Sequence, residues 1–294
     1  MLTAVVLLLA LLGGTAKVID GDVTISQVEN YHITINGMQV NSSNCGDINV
    51  YGKTAGRVTY DEDTHTLVFD DVETETPGAA DWFDIVDGSG QGVLTVRFVG
   101  SNHIRASVSI EEAEGAYGPL ELIIVEGDHP GADYSLKCGT FTANRHLRIK
   151  DCQIDASRLC SYDNKPINLE IIHSHIMLSG TAGKPTLGGF GSFKLTDCYV
   201  ATPEDWWYGQ NYKIDRCLND GTGSCFMAVE IVPEGMAKGD VNSDGTVDVA
   251  DIATIVNVMA GSASETLKAS ADVNGDGSVD VADIATIINV MAGK

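Results

Sequence analysis

Two stretches near the end of the chain hold its densest chemistry: GDVNSDGTVDVADIATIVNVMAG over 239–261 and ADVNGDGSVDVADIATIINVMAG over 271–293. They are identical at 19 of 23 positions, at an offset of 32. Such an internal duplication means one structural unit used twice. Each copy opens on D-x-N-x-D-G and places further aspartates at loop positions 9 and 12, the oxygen spacing of a calcium loop. A hard cation takes about six to eight oxygens, which alternate residues of a tightly curled loop supply. In the first copy these are Asp240, Asn242, Asp244, the Thr246 carbonyl, Asp248 through water, and Asp251. In the second they are Asp272, Asn274, Asp276, the Ser278 carbonyl, Asp280 and Asp283. Four carboxylates crowd each loop, and their repulsion opposes folding until a divalent ion neutralises it. The expectation is two calcium ions and a metal-dependent fold. The rival reading, an Asp/Asn/Gly-rich turn that binds nothing, does not account for two near-identical copies with every ligand position filled.

The elements that must hold these loops follow directly. Ile252, Ile255 and Met259, and again Ile284, Ile287 and Met291, recur at helical spacing, so each loop leads into a helix and the two stripes pack together. Gly261 and Gly293 sit where a helix C-terminal cap belongs. Pro233, Glu234 and Gly235 interrupt any helix before the first loop, so each unit is half an EF-hand, loop and exit helix alone.

On these residues the segment 237–294 resembles a type I dockerin, the module that bacterial cellulosomal and related enzymes use to dock on cohesin domains. The resemblance implies calcium at the positions named and a cohesin-like protein partner. It also implies that loop positions 10 and 11 and later helix positions read the partner. Here they are Val249, Ala250, Val256 and Asn257 in one copy, and Val281, Ala282, Ile288 and Asn289 in the other. Family members often carry Ser and Thr at positions 10 and 11, so this docking face is more apolar. Two near-identical faces imply two binding modes related by a half-turn.

Composition bounds the rest. The chain has 294 residues with an apolar fraction of 44%, enough for a core and more than one domain. A formal charge of −23 argues against nucleic acid or an anionic membrane as partner. Residues 1–16 are uncharged, apolar from Ala4 to Leu12 and end in small residues, which reads as a secretory signal peptide cut near Ala16. No cysteine near the cut offers a lipid anchor, and no segment is long enough to span a membrane. Export to the cell surface or the medium is the expected location. Export also permits disulfides; Cys217 with Cys225 is the favoured pair among seven cysteines, the others being read as buried thiols.

Residues 17–236 show no long helical period; short apolar strands alternate with Gly, Asp and Asn turns. LRIKDCQIDA from Leu147, LEIIHSHIML from Leu169 and FKLTDCYVAT from Phe193 align at spacings of 22 and 24, with weaker relatives from Leu94 and Leu120. A repeat of this length predicts a solenoid, a right-handed parallel β-helix, with a β-sandwich as the alternative. Stacking in register gives inward columns Leu147/Leu169/Phe193, Ile149/Ile171/Leu195, Cys152/Ser174/Cys198 and Ile154/Ile176/Val200. The outward column Arg148/Glu170/Lys194 alternates in sign. YHITINGMQVNSSNC from Tyr31 and GRVTYDEDTHTLVFDDV from Gly56, with the repeats, also resemble secreted Bacteroidetes proteins described as carbohydrate-binding. That resemblance implies a β-helical, glycan-associated surface protein.

Three further constellations need weighing. Register aligns Asp151, His173 and Asp197, a stack that can orient a base or hold a metal, or can be corner chemistry satisfying backbone N–H groups. Trp206, Trp207 and Tyr208 suit either a sugar-stacking platform or a cap over the last open strand. Trp82 reads as core. No nucleophile elbow, zinc-protease helix or phosphate loop occurs. The leading reading is an exported, noncatalytic, glycan-associated β-helix carried on a dockerin in a polysaccharide-binding or polysaccharide-degrading system. The alternatives are a β-helical glycoside hydrolase or polysaccharide lyase with a site not evident in sequence, and a structural surface protein or adhesin.

Overall fold

The computed structural model describes residues 14–19, 22–75, 82–128, 135–161, 167–210, 216–234, 239–242, 246–261, 270–274 and 277–292. It is mostly β-structure, followed by a small helical region after residue 239. Most of the expected signal peptide lies outside the described residues; Gly14–Ile19 pairs antiparallel with Asp22–Gln27.

Strict alternation creates the strands. In His146–Lys150, Leu147 and Ile149 turn inward while their neighbours face out, and the matching strands from Asn168 and Val93 repeat that pattern. The repeats pair in parallel in the expected register: Leu147 with Leu169 and then Phe193, Ile149 with Ile171 and then Leu195. Earlier strands extend the stack, Leu94 beside Ile123 and Ile123 beside Leu147. The outward column behaves as its charges require. Glu170 accepts from Arg148 Nε at 2.9 Å and from Lys194 Nζ at 2.6 Å, and these two bonds hold its carboxyl below the ordinary carboxylate range.

Three sheets of seven, five and nine strands line one apolar cluster, with Phe69, Phe83, Phe98, Phe141 and Phe190 fully buried in it. This differs from the two facing layers of the alternative β-sandwich. It also differs from a solenoid carried through, because the sheets are mixed. Lys53–Asp61 and Thr66–Thr74 form an antiparallel hairpin at one end of the seven-stranded sheet. In the five-stranded sheet Val229–Pro233 inserts antiparallel between His175–Leu178 and Cys198–Thr202, placing Ile231 between Ile176 and Val200. The expected Ile154/Ile176/Val200 column is therefore interrupted. A returning strand supplies hydrogen bonds to an edge that would otherwise face solvent.

Further corrections concern single residues. Trp82 is 40% exposed, because a period of two turns its neighbour Phe83 inward instead. Cys217 and Cys225 are both buried and carry no disulfide; burial pushes the thiols of Cys152 and Cys138 up. Among the described residues no helix is long and apolar enough to cross a membrane.

Candidate metal centre and docking surface

The two helices are α1, Val249–Met259, and α2, Val281–Met291. They share a small core of Val241, Ile255, Val258, Ala271, Val273 and Ile287, with Ile252 and Ile284 partly buried against it. Met259 and Met291 are exposed, contrary to the expected stripes. From Ile255 the next inward residue on α1 is Val258 at i+3, and helical rotation carries Met259 out of the contact. Gly261 adopts φ +88° immediately after the cap Ala260, as a glycine ending a helix does; Gly293 lies outside the described residues.

Each loop is tied to its helix by the same two aspartates. Asp248 and Asp280 are the N-caps, each accepting from the backbone N–H two residues on, Ala250 or Ala282, at 2.7 Å. Asp251 and Asp283 complete reciprocal capping boxes. Asp251 also reaches back across the loop: Val241 N–H and Asn242 N–H donate to Oδ1 at 2.7 and 3.0 Å, and Asp248 N–H donates to Oδ2 at 2.8 Å. Asp283 accepts from Asn274 N–H at 3.1 Å and from Asp280 N–H at 2.9 Å. Both carboxylates are completely buried, and Asp240 nearly so.

Buried carboxylates normally carry a cationic partner. Among the described residues no Lys, Arg or His forms an ion pair with Asp251 or Asp283. Lys268 and Lys294 are the only basic residues from 239 onward, against eight aspartates and Glu265. An oxygen-only donor set with unbalanced buried charge fits a hard divalent cation. Gly277 at φ +86° donates its N–H to Asp272 Oδ2 at 2.8 Å, so the second loop curls its first ligand position over its turn. Asp244 and Asp276 lie outside the described residues. Among those described, no three His, Cys, Asp or Glu side chains already converge on one point.

The expected partner-reading residues are displayed alike in both copies. Val249 and Val281 are 70% and 68% exposed, Val256 and Ile288 50% and 51%. Asn257, Ala282 and Asn289 are also exposed, and Ala250 is half-buried.

Elsewhere, Asp151, His173 and Asp197 share one column, and all three have left-handed backbones at φ 51°, 40° and 53°. Asp71 and Gly100 hold the same conformation at earlier corners. One left-handed residue turns the chain from the first sheet toward the second, a conformation that glycine and the short polar side chains tolerate best. His173 Nδ1 lies 2.9 Å from Asp151 Oδ1. The corner reading explains the column through backbone geometry that all three residues share. Trp206 and Tyr208 pack on Phe193, at ring distances of 6.0 and 5.3 Å, and the Tyr208 hydroxyl donates to Phe190 O at 2.8 Å. They cover the last strand of the seven-stranded sheet, leaving Trp207 outward.

A buried polar relay escaped the sequence reading. Asp87 Oδ2 receives His65 Nε2 at 2.8 Å, and His65 Nδ1 receives the Tyr60 hydroxyl at 2.7 Å. Burial alone raises Asp87, but bonds from His65 and Ser89 outweigh it and leave the carboxyl below its ordinary value. His65, in a hairpin turn, and Asp87, at the end of the strand Trp82–Asp87, stand 22 residues apart, so no local spacing announces the pair. The only signal is a histidine at the end of the D-E-D-T-H hairpin turn.

Compared with known families, residues 238–292 match the type I dockerin domain. The match covers less than half of the chain. Type I dockerin domains bind calcium, and the domain implies a cohesin partner and a docking role. Neither the curated proteins nor the solved structures contain a match to the chain.

Proposed function

We propose that the chain is an exported component of a polysaccharide-binding or polysaccharide-degrading system, anchored by its dockerin to a cohesin-like partner while its β region contacts glycan without catalysis. Two calcium ions load the loops through Asp240, Asn242, Asp244, Thr246, Asp248 and Asp251, and through Asp272, Asn274, Asp276, Ser278, Asp280 and Asp283. The observation that carries this reading is the pair of fully buried carboxylates, Asp251 and Asp283, each folded into its loop by backbone donors and, among the described residues, without a basic side chain paired to it. The matched exposure of Val249 with Val281 and of Val256 with Ile288 supports an apolar docking face usable in two orientations. In the β region we read the parallel strands between residues 66 and 196 as a short right-handed β-helix closed by antiparallel strands at its ends.

The test is calorimetric titration of the full chain with calcium, followed by a pull-down from the secreted proteins of the source cells with and without chelator. Two ions and a partner lost on chelation are expected. Absence of calcium binding below millimolar concentration would sink the docking reading. Export is checked separately by sequencing the N-terminus of the mature protein, expected at Lys17.

A further inference from the structure

We infer that the solvent face of the seven-stranded sheet carries a binding groove for a neutral glycan chain, centred on Glu121, His146, Arg148 and Asn168. The inference rests on the glycan reading above and gives it a place. A recess of about 290 Å³ is lined by Glu121, Leu122, His146, Leu147, Arg148, Asn168 and Glu170. Two outward rows cross the strands there. In one, Leu122 pairs with His146 and Asn168 with Ser192, the two pairs joined by the hydrogen bond from Asn168 N–H to His146; in the other, Ile124, Arg148, Glu170 and Lys194 are register partners.

The hydrogen-bonding capacity of this face is only half used. His146 Nδ1 accepts Asn168 N–H at 2.9 Å, which fixes the remaining proton of the neutral ring on Nε2. Asn168 Oδ1 accepts the Ser192 hydroxyl at 2.7 Å, so its amide N–H groups are left over. Arg148 spends Nε on Glu170, and its terminal nitrogens have no partner among the described residues. Glu170 is occupied on both oxygens by Arg148 and Lys194. Glu121 has no side-chain partner among the described residues and supplies the one open carboxylate.

The groove thus offers three donors, one strong acceptor and the apolar edge of Leu122. Vicinal hydroxyl groups, each donor and acceptor at once, match that mixture. Adjacent strands repeat it every ~4.8 Å, close to the advance per unit of an extended glycan, so a chain crossing the strands meets new polar groups at each sugar. A polyanionic chain would meet Glu121 and the field of a protein carrying −23 charges.

Affinity electrophoresis of the full chain tests this with xyloglucan, arabinoxylan and galactomannan as neutral probes and polygalacturonate as the anionic one. Retardation by at least one neutral probe is expected, weakened about 10-fold or more in Glu121→Gln and Asn168→Ala and unchanged in Trp207→Ala. Both groove substitutions lie on exposed side chains, and circular dichroism confirms that each variant folds. If a neutral probe binds but only Trp207→Ala weakens it, the groove is wrong and the glycan reading stands. Retardation by polygalacturonate alone overturns the neutral-chain assignment. If no probe retards the wild type, the groove and the glycan reading fall together.

Discussion

The β region and the C-terminal module solve the problem of stability in opposite ways. Residues 31–231 bury a continuous apolar cluster in which five phenylalanines are fully enclosed, and a buried amide inside it is bonded within the protein. Asn102, fully buried, donates to Val99 O and Ser135 O at 3.0 Å and accepts Val72 N–H at 2.9 Å. Among the described residues from Gly239 to Ala292, six apolar residues are buried and carboxylates are enclosed with them. Such a core is too small to hold a domain alone, and buried acids oppose folding unless a cation joins them. The difference teaches that a region with a large apolar core closes on its own contacts, while a region with a small core enclosing acids is expected to need a cation.

The largest effect that would sharpen this contrast is chelation. Removing calcium is expected to abolish the helical circular dichroism of α1 and α2 while the strands survive, and protease should cut first after residue 234. Survival of the helices in chelator would break the contrast. Next, Phe98→Ala, which opens the aromatic contact with Phe69 at 5.3 Å, should cost about 3–5 kcal/mol in thermal unfolding of the β region, with no change in calcium affinity. The converse variant is Asp251→Ala. It removes the acceptor of three backbone N–H groups and is expected to destabilise the first loop by about 3 kcal/mol, read as loss of one calcium from the titration with the β transition unmoved.

A smaller effect concerns acid. Asp87 has its folded value depressed by His65 and Ser89, so its contribution is present above the unfolded aspartate value near 4 and is lost as pH falls through the lower folded value. Asp87→Asn should flatten the loss of β-region stability below about pH 4. An acid limb unchanged from wild type would remove Asp87 from the account. Least of all, Lys194→Ala breaks an exposed pair and should cost no more than about 1 kcal/mol, a difference that vanishes in 1 M salt.

The repeats were legible because each rests on a local period. Alternation alone places Leu147, Ile149, Leu169 and Ile171 inward, and the spacings of 22 and 24 set their parallel register. The loop-and-helix duplication was legible for the same reason, whereas the N-caps at Asp248 and Asp280 appear only in the structure. What failed depended on contacts distant in sequence. Nothing near Ile176 signals that Ile231, 55 residues later, will separate it from Val200. Nothing local exposes Met259 while burying Val258, since the angle of α1 against α2 chooses between adjacent inward positions.

The sequence by itself determined the duplicated helices α1 and α2 and the inward and outward faces of the strands, because spacing and side-chain type act within a few residues. Tertiary structure alone decided how the sheets close, which bonds join Tyr60, His65 and Asp87, and where unspent hydrogen-bonding groups gather into a groove. Those outcomes depend on which strands become neighbours, and that is settled by burying the whole apolar cluster at once rather than by any one segment.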